Sequence, residues 1–328
     1  MYHLYIACCT PSGGVAHCLL DDAGRLTLHD WVKIPEPMYL ALEGSTLHTI
    51  LRLSTLEDEN SGYTTLPLTA DGVLGDPGRV QTLGGKVACH LSLLDGTVYT
   101  ANYVSGSLSR LTSSGELTVV THSGCGPHPT RQTGPHTHFI APTPDGKYLL
   151  ATDLGLDTVF TYDRELKALT SARVPEGHGV RHLAFSADGR WVYAVNELTG
   201  TVTAFAYADG RLAPCNTAPT LPTDYVGKNT AAAIRYADGL LYVSHRGHDS
   251  IAVLAAEGEQ LELRRHVSCG GNGPRDFDVF GDYIVCTNED SDTVTVLRRR
   301  GDDLIPVPGG LSLPHPLCVV GRAADGCL

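Results

Sequence analysis

Six residues of this chain combine groups that hold anions with groups that move protons, and they share one register. Arg181 lies eight residues before Gly189 and Glu197 eight after it, while His138 lies eight before Gly146. His90 and Arg275 lie six residues before Gly96 and Gly281, and Arg246 lies seven after Gly239. Guanidinium groups fork onto carboxylate or phosphate, so three arginines converging on one point imply an anionic ligand. A histidine and a glutamate beside them are candidates for general acid–base work near neutral pH. A single polar residue at a strand end is ordinarily a cap satisfied by nearby backbone. Six in one register read as a functional ring, provided the fold gathers the glycine-centred units around one axis.

Those units repeat. The segments LDGTVYTAN (94–102), PDGKYLLATD (144–153), ADGRWVYAVN (187–196) and ADGLLYVSHR (237–246) share a template, and GDYIVCTN (281–288) is a variant of it. Their glycines are 50, 43, 50 and 42 residues apart, a period that signals a propeller or another array. Asp-Gly between strand-like runs marks a hairpin, because glycine accepts the positive φ of a tight turn. Five such units, another around 39–47, and a seventh shared by the two chain ends predict an all-β fold. It is a seven-bladed β-propeller of four-stranded antiparallel blades, one domain spanning 1–328. Strands around 3–7 and 15–20 lack a partner, and pairing them with 316–320 closes the ring and removes open edges. The strand before each turn is predicted to be the innermost of its blade. His90, His138, Arg181 and Arg275, with Glu197 and Arg246 beside them, then ring one mouth of the central channel.

Composition limits the partners. With 24 Lys+Arg against 36 Asp+Glu the net charge is −12, which speaks against nucleic-acid backbones and anionic membrane surfaces. No apolar run reaches the roughly 18–20 residues of a membrane span. The start, MYHLYIACC, reads as a strand rather than a secretory leader. Ten cysteines carry no Cys-x-x-Cys pair, and several sit in apolar strand patterns. They read as reduced thiols of a cytoplasmic protein. No metal-ligand spacing occurs, so neither metal nor organic cofactor is expected. The His-rich stretch 122–136 and Arg298–Arg300 read as a solvated loop and a solvated turn, and no phosphate loop or Gly-x-Ser-x-Gly elbow is found.

The run from His138 to PDG (144–146), RHLAFSADGRWVYAVNEL (181–198), YADGLLYVSHRGHDSIAVL (236–254) and GNGPRDFDV (271–279) together resemble the lactonase-type seven-bladed propellers. That family includes bacterial propeller-type 6-phosphogluconolactonases and fungal carboxy-muconate cyclases. The resemblance covers residues 85–300 well and the ends only by architecture. It implies hydrolysis of a sugar-acid lactone, foremost 6-phosphogluconolactone to 6-phosphogluconate in the pentose phosphate pathway, with no cofactor. Catalytic roles then fall to His138, Glu197 and Arg181, with either His138 or Glu197 as the base. Substrate-binding roles fall to Arg246, Arg275, His90 and His182, and the substrate is a small phosphorylated or carboxylated lactone. One departure bears on the substrate: many relatives carry an acidic residue where this chain has Ala233, before Ile234. Two other functions compete. One is a cycloisomerase that lactonises an unsaturated di- or tricarboxylate. The other is a non-catalytic binding propeller, against which stands an aromatic content of only 7%.

Overall fold

The computed structural model describes residues 1–53 and 60–324; Cys327 lies outside the described residues. Seven sheets, each of four antiparallel strands, stand in a ring. Their innermost strands are Pro37–Glu43, Ala88–Leu94, Thr137–Pro142, Val180–Phe185, Thr230–Ala237, Pro274–Phe280 and Pro316–Ala323, and these define blades one to seven here. The first six are each followed in sequence by the other three strands of the same blade. The seventh is completed by Tyr2–Cys8, Gly14–Leu20 and Leu26–Lys33 from the N-terminus. Tyr5 pairs with Val320 and Ile6 with Val319, so the chain ends close the ring as predicted. Helix is confined to two single turns, Leu154–Leu156 and Glu289–Ser291, among the described residues.

The turns explain the register. Asp95-Gly96 and Asp238-Gly239 have φ of 48°, 71°, 52° and 80°, the double positive φ of a two-residue turn whose twist matches paired strands. At 144–147 and 187–190 the loop is two residues longer. There the aspartate accepts from a hydroxyl instead, Thr143 Oγ1 to Asp145 at 2.7 Å and Ser186 Oγ to Asp188 at 2.7 Å.

The template tyrosine holds neighbouring blades together. Tyr99, Tyr193 and Tyr242 are buried between sheets, and a buried hydroxyl needs a partner. Tyr99 donates to Arg164 O at 2.7 Å and Tyr193 to Gly258 O at 3.0 Å, each in the outer hairpin of the next blade. Tyr242 instead accepts from Arg299 Nε at 3.0 Å, and Arg299 also pairs with Asp238 at 2.7 Å. Arg299 is therefore a clip between blades five and six, where the sequence suggested only a solvated turn.

Candidate functional site

Each innermost strand carries an extra residue near its start, a β-bulge. In blades one to four and six the extra residues are Met38, Cys89, His138, Arg181 and Arg275. Ala232 and Ala233 share one partner in blade five, and Leu317 is unpaired in blade seven. A bulge bends its strand and re-aims a side chain. Here it brings Met38, Cys89, His138 and Arg275, from four different blades, to one cavity.

A second set comes from the end of the next strand. Tyr103, Glu197 and Glu289 each follow a buried asparagine, Asn102, Asn196 or Asn288. The asparagine amide donates to hydroxyls five and seven residues on, for example Asn196 to Thr201 at 2.9 Å and Thr203 at 3.0 Å. The following N–H bonds the carbonyl just ahead of the innermost strand, as from Glu197 to Gly179 O at 2.8 Å and Glu289 to Gly273 O at 2.9 Å. Arg246 holds the equivalent place in blade five. Both sets meet around a cavity of about 210 Å³, lined by Met38, Val87, Cys89, Tyr103, Arg131, His138, Glu197, Arg246 and Arg275.

Glu197 is the electrostatic centre. Its Oε2 lies 3.1 Å from Arg181 Nε and 3.2 Å from Arg246 Nη2, and its Oε1 lies 2.5 Å from Arg131 Nη2. Burial alone would push its carboxyl up, but Arg246, Arg181 and Arg131 outweigh burial and hold it far below the usual carboxylate range. Arg181 is only 2% exposed and donates to Ala232 O at 2.6 Å. Burial and then Arg246 bring its guanidinium down to about 10, so it remains charged at neutral pH. Arg275 pairs with Glu289 at 3.0 Å on the far wall. Arg181 Nε and Arg246 Nε and Nη2 are buried without a well-aligned hydrogen bond among the described residues. Two of these, Arg181 Nε and Arg246 Nη2, still meet Glu197 Oε2 as ion pairs, so the carboxylate holds them by charge rather than by aligned hydrogen bonds.

His138 is buried beside them. Burial, then Arg181, pushes its imidazole well below the ordinary histidine value, leaving a neutral ring able to accept a proton. Its Nδ1 is 3.8 Å from Cys89 Sγ, and burial raises that thiol to about 12, so Cys89 is a neutral wall residue.

His90 and His182 sit one tier deeper. His90 packs against Tyr39 and Phe139 with ring centroids 4.5 and 4.2 Å away, and His182 lies 5.5 Å from His90 and 5.3 Å from His138. They plug the channel beneath the cavity and do not line it. Burial, with Arg235 and Arg181, lowers His90 to about 3. The register count misplaced His90 for a geometric reason. Gly96 is the second residue of its two-residue turn, whereas Gly281 is the first of Gly281-Asp282. The position equivalent to Arg275 is therefore Cys89.

Tyr103, Arg131 and Glu289 were not singled out by sequence reasoning. The Asn-x pairs at 102–103, 196–197 and 288–289 carried the signal for Tyr103 and Glu289. Arg131 had none, because it comes from the stretch 122–136, which is largely solvated as expected but is also moored at particular residues. His122 is buried between Asp153 at 2.6 Å and Tyr162 Oη at 2.6 Å. Gln132 donates to Leu154 O and Asp157, both at 2.8 Å. Among the described residues no group of three or more His, Cys, Asp or Glu is placed to hold a metal.

Comparison with known proteins agrees with this geometry. The family described as "Lactonase, 7-bladed beta-propeller" matches residues 3–320. An uncharacterized protein of Staphylococcus aureus strain USA300 is 31% identical over 283 residues, 81% of this chain and 82% of its own. The crystal structure of a Lactobacillus plantarum protein superposes with a TM-score of 0.90 at 29% identity, covering 98% of this chain and 100% of that one. The Pseudomonas aeruginosa periplasmic gluconolactonase superposes at 0.89 with 27% identity, covering 99% of both chains. A Bacteroides fragilis protein described as a candidate 6-phosphogluconolactonase superposes at 0.89 with 25% identity, covering 98% of both.

Proposed function

The chain belongs to the seven-bladed β-propeller lactonases, and we propose that its axial cavity hydrolyses a sugar-acid lactone, foremost 6-phosphogluconolactone to 6-phosphogluconate in the pentose phosphate pathway. One observation carries this reading: a neutral imidazole, His138, on the wall of a small cavity also lined by Arg131, Arg246 and Arg275, with Arg181 buried behind them against Glu197. A neutral imidazole can take a proton from water, and preorganised guanidinium groups stabilise charge that develops on an ester oxygen.

In this reading Arg246 and Arg275, each about one-fifth exposed to the cavity, hold the substrate's anionic group and polarise the ester carbonyl. Water adds to the carbonyl carbon as His138 takes its proton, and the negative charge moves onto the carbonyl oxygen. The tetrahedral intermediate collapses, the ring C–O bond breaks, and the departing alkoxide takes the proton back from His138. The open-chain acid leaves with one water added. Glu197 acts as the fixed anion that holds three guanidinium groups in place. Both Glu197 oxygens are occupied by guanidinium groups, so His138 is preferred as the base.

The free thiols Cys8, Cys9, Cys18, Cys89, Cys125, Cys215, Cys269, Cys286 and Cys318 support placing the protein in the cytoplasm. The similar Pseudomonas protein is periplasmic by name, so cell fractionation is the corresponding check. Among the described residues no helix is long and apolar enough to cross a membrane.

The test is a pH-stat assay of the purified protein on 6-phosphogluconolactone and glucono-δ-lactone, against His138→Gln and Glu197→Gln. Rapid hydrolysis that both substitutions suppress supports the reading. Equal rates in the three proteins refute the assigned roles, and turnover confined to an unsaturated di- or tricarboxylate would favour the lactonising chemistry instead.

A further inference from the structure

We infer that Arg131 is a specificity-determining residue that makes this cavity select a doubly charged anionic group; the inference rests on the lactonase reading of the cavity. Arg181, Arg246 and Arg275 belong to the repeating strands of the blades. Arg131 alone of the four is delivered by a connecting loop, and that loop is built to hold it still. His122 bridges Asp153 and Tyr162 at one end, Gln132 is tied to Leu154 and Asp157 beside it, and His136 stacks on Tyr103 with ring centroids 4.5 Å apart. The loop is a fixed wall.

The contacts of Arg131 leave part of it available. Its Nη2 donates to Glu197 Oε1 at 2.5 Å and to Tyr103 Oη at 3.2 Å. Among the described residues Nη1 and Nε make no hydrogen bond, and about one-third of the side chain is exposed beside the cavity. Burial opposes its charge but Glu197 outweighs burial, so the guanidinium is secured in its charged form.

The charge balance then decides what fits. Arg131, Arg246 and Arg275 line the cavity with Arg181 buried behind them; against these four guanidinium groups stand two carboxylates, Glu197 and, paired with Arg275, Glu289, and His138 is neutral. Two positive charges are left over, which matches a phosphate monoester dianion or a pair of carboxylates. Without Arg131 one remains, which matches a monoanion. One carboxylate shared by Arg131, Arg181 and Arg246 leaves this group in excess of positive charge, and of the three Arg131 is the most exposed beside the cavity. Its planar fork also suits an oxyanion better than a lysine would.

The experiment compares wild type with Arg131→Gln and Arg131→Lys, using 6-phosphogluconolactone and glucono-δ-lactone as substrates. Inorganic phosphate is titrated as a separate probe by calorimetry, and thermal melts establish that each variant folds. For Arg131→Gln the preference for the phosphorylated lactone, as a ratio of kcat/KM, is expected to fall on the order of 10–100-fold, mainly through KM. Phosphate affinity should fall in parallel, and Arg131→Lys should recover part of both. An unchanged preference, or equal loss on the two lactones with phosphate affinity intact, would overturn the inference by reducing Arg131 to a prop for Glu197. If wild type hydrolyses neither lactone yet binds phosphate, and Arg131→Gln weakens that binding, the lactonase reading fails while the role of Arg131 in anion selection stands.

Discussion

Replacing Glu197 by glutamine keeps the shape of the site and removes the charge on which three guanidinium groups converge. Those contacts run from 2.5 to 3.2 Å, and Glu197 and Arg181 are 3% and 2% exposed. Water can do little to solvate the arginine charges once their carboxylate is gone. Removing one partner of a buried pair typically destabilises by about 3–5 kcal/mol. For 328 residues, at about 2.1 cal/mol/K per residue, the unfolding entropy is about 0.7 kcal/mol/K, so the melting temperature should drop by about 4–7 °C. The pH dependence adds a second, independent readout. The folded state holds the Glu197 carboxyl far below its unfolded value, so its contribution is fully present above the unfolded value of about 4.3 and fades as pH falls toward the folded one. The gap between wild type and Glu197→Gln should therefore be constant from pH 8 to about 5 and narrow below that. Chemical denaturation of both proteins across pH 3.5–8 measures it. Equal stability at pH 7, or a gap that does not shrink on acidification, would refute the view of Glu197 as an ionised, buried hub.

Three further outcomes follow from named contacts. His138→Gln should lower kcat by about 10²–10⁴-fold with a smaller change in KM; because the wild-type imidazole titrates well below its ordinary value, activity should stay flat through pH 6.5, and a break there would argue against His138 as the base. Tyr193→Phe removes the hydroxyl that clips blade four to Gly258 and should cost about 1 kcal/mol in urea unfolding, whereas no loss would mean the clip is not used. Brief alkylation at pH 7.5 followed by peptide mass spectrometry should label the exposed Cys125 and Cys215 first and leave Cys89 unmodified; early labelling of Cys89 would contradict its place as a buried, neutral wall.

Much of the fold was legible because it repeats. A hairpin is a local object, and a template recurring at 42–50 residues states the same local rule five times. Blade number and ring closure followed from unpaired strands at the two ends, which the pairing of Tyr2–Cys8 with Pro316–Ala323 satisfies. The pairing of Arg181 with Glu197 across the mouth of one hairpin was also legible, since residues equidistant from a turn must meet. The count failed where the turn changed type. Asp95-Gly96 and Gly281-Asp282 place glycine at different positions of a two-residue turn, and that one-residue slip exchanged Cys89 for His90. In a strand such a slip moves a side chain to a different tier of the channel, here from cavity wall to buried plug.

Arg131 shows the other limit. Nothing in the spacing of the stretch 122–136 relates it to Glu197, 66 residues later in the chain. Its place follows from the anchors at His122 and Gln132, which are contacts between distant segments. The sequence by itself determined the ring, the direction of its hairpins and the convergence of three arginines with a histidine and a glutamate, because each follows from local periodicity. Only the tertiary structure decided that Glu197 is held ionised by three guanidinium groups, that His138 is neutral, and that a fourth arginine completes the wall. Charge state depends on burial and on neighbours brought together through space, and neither is written in residue order.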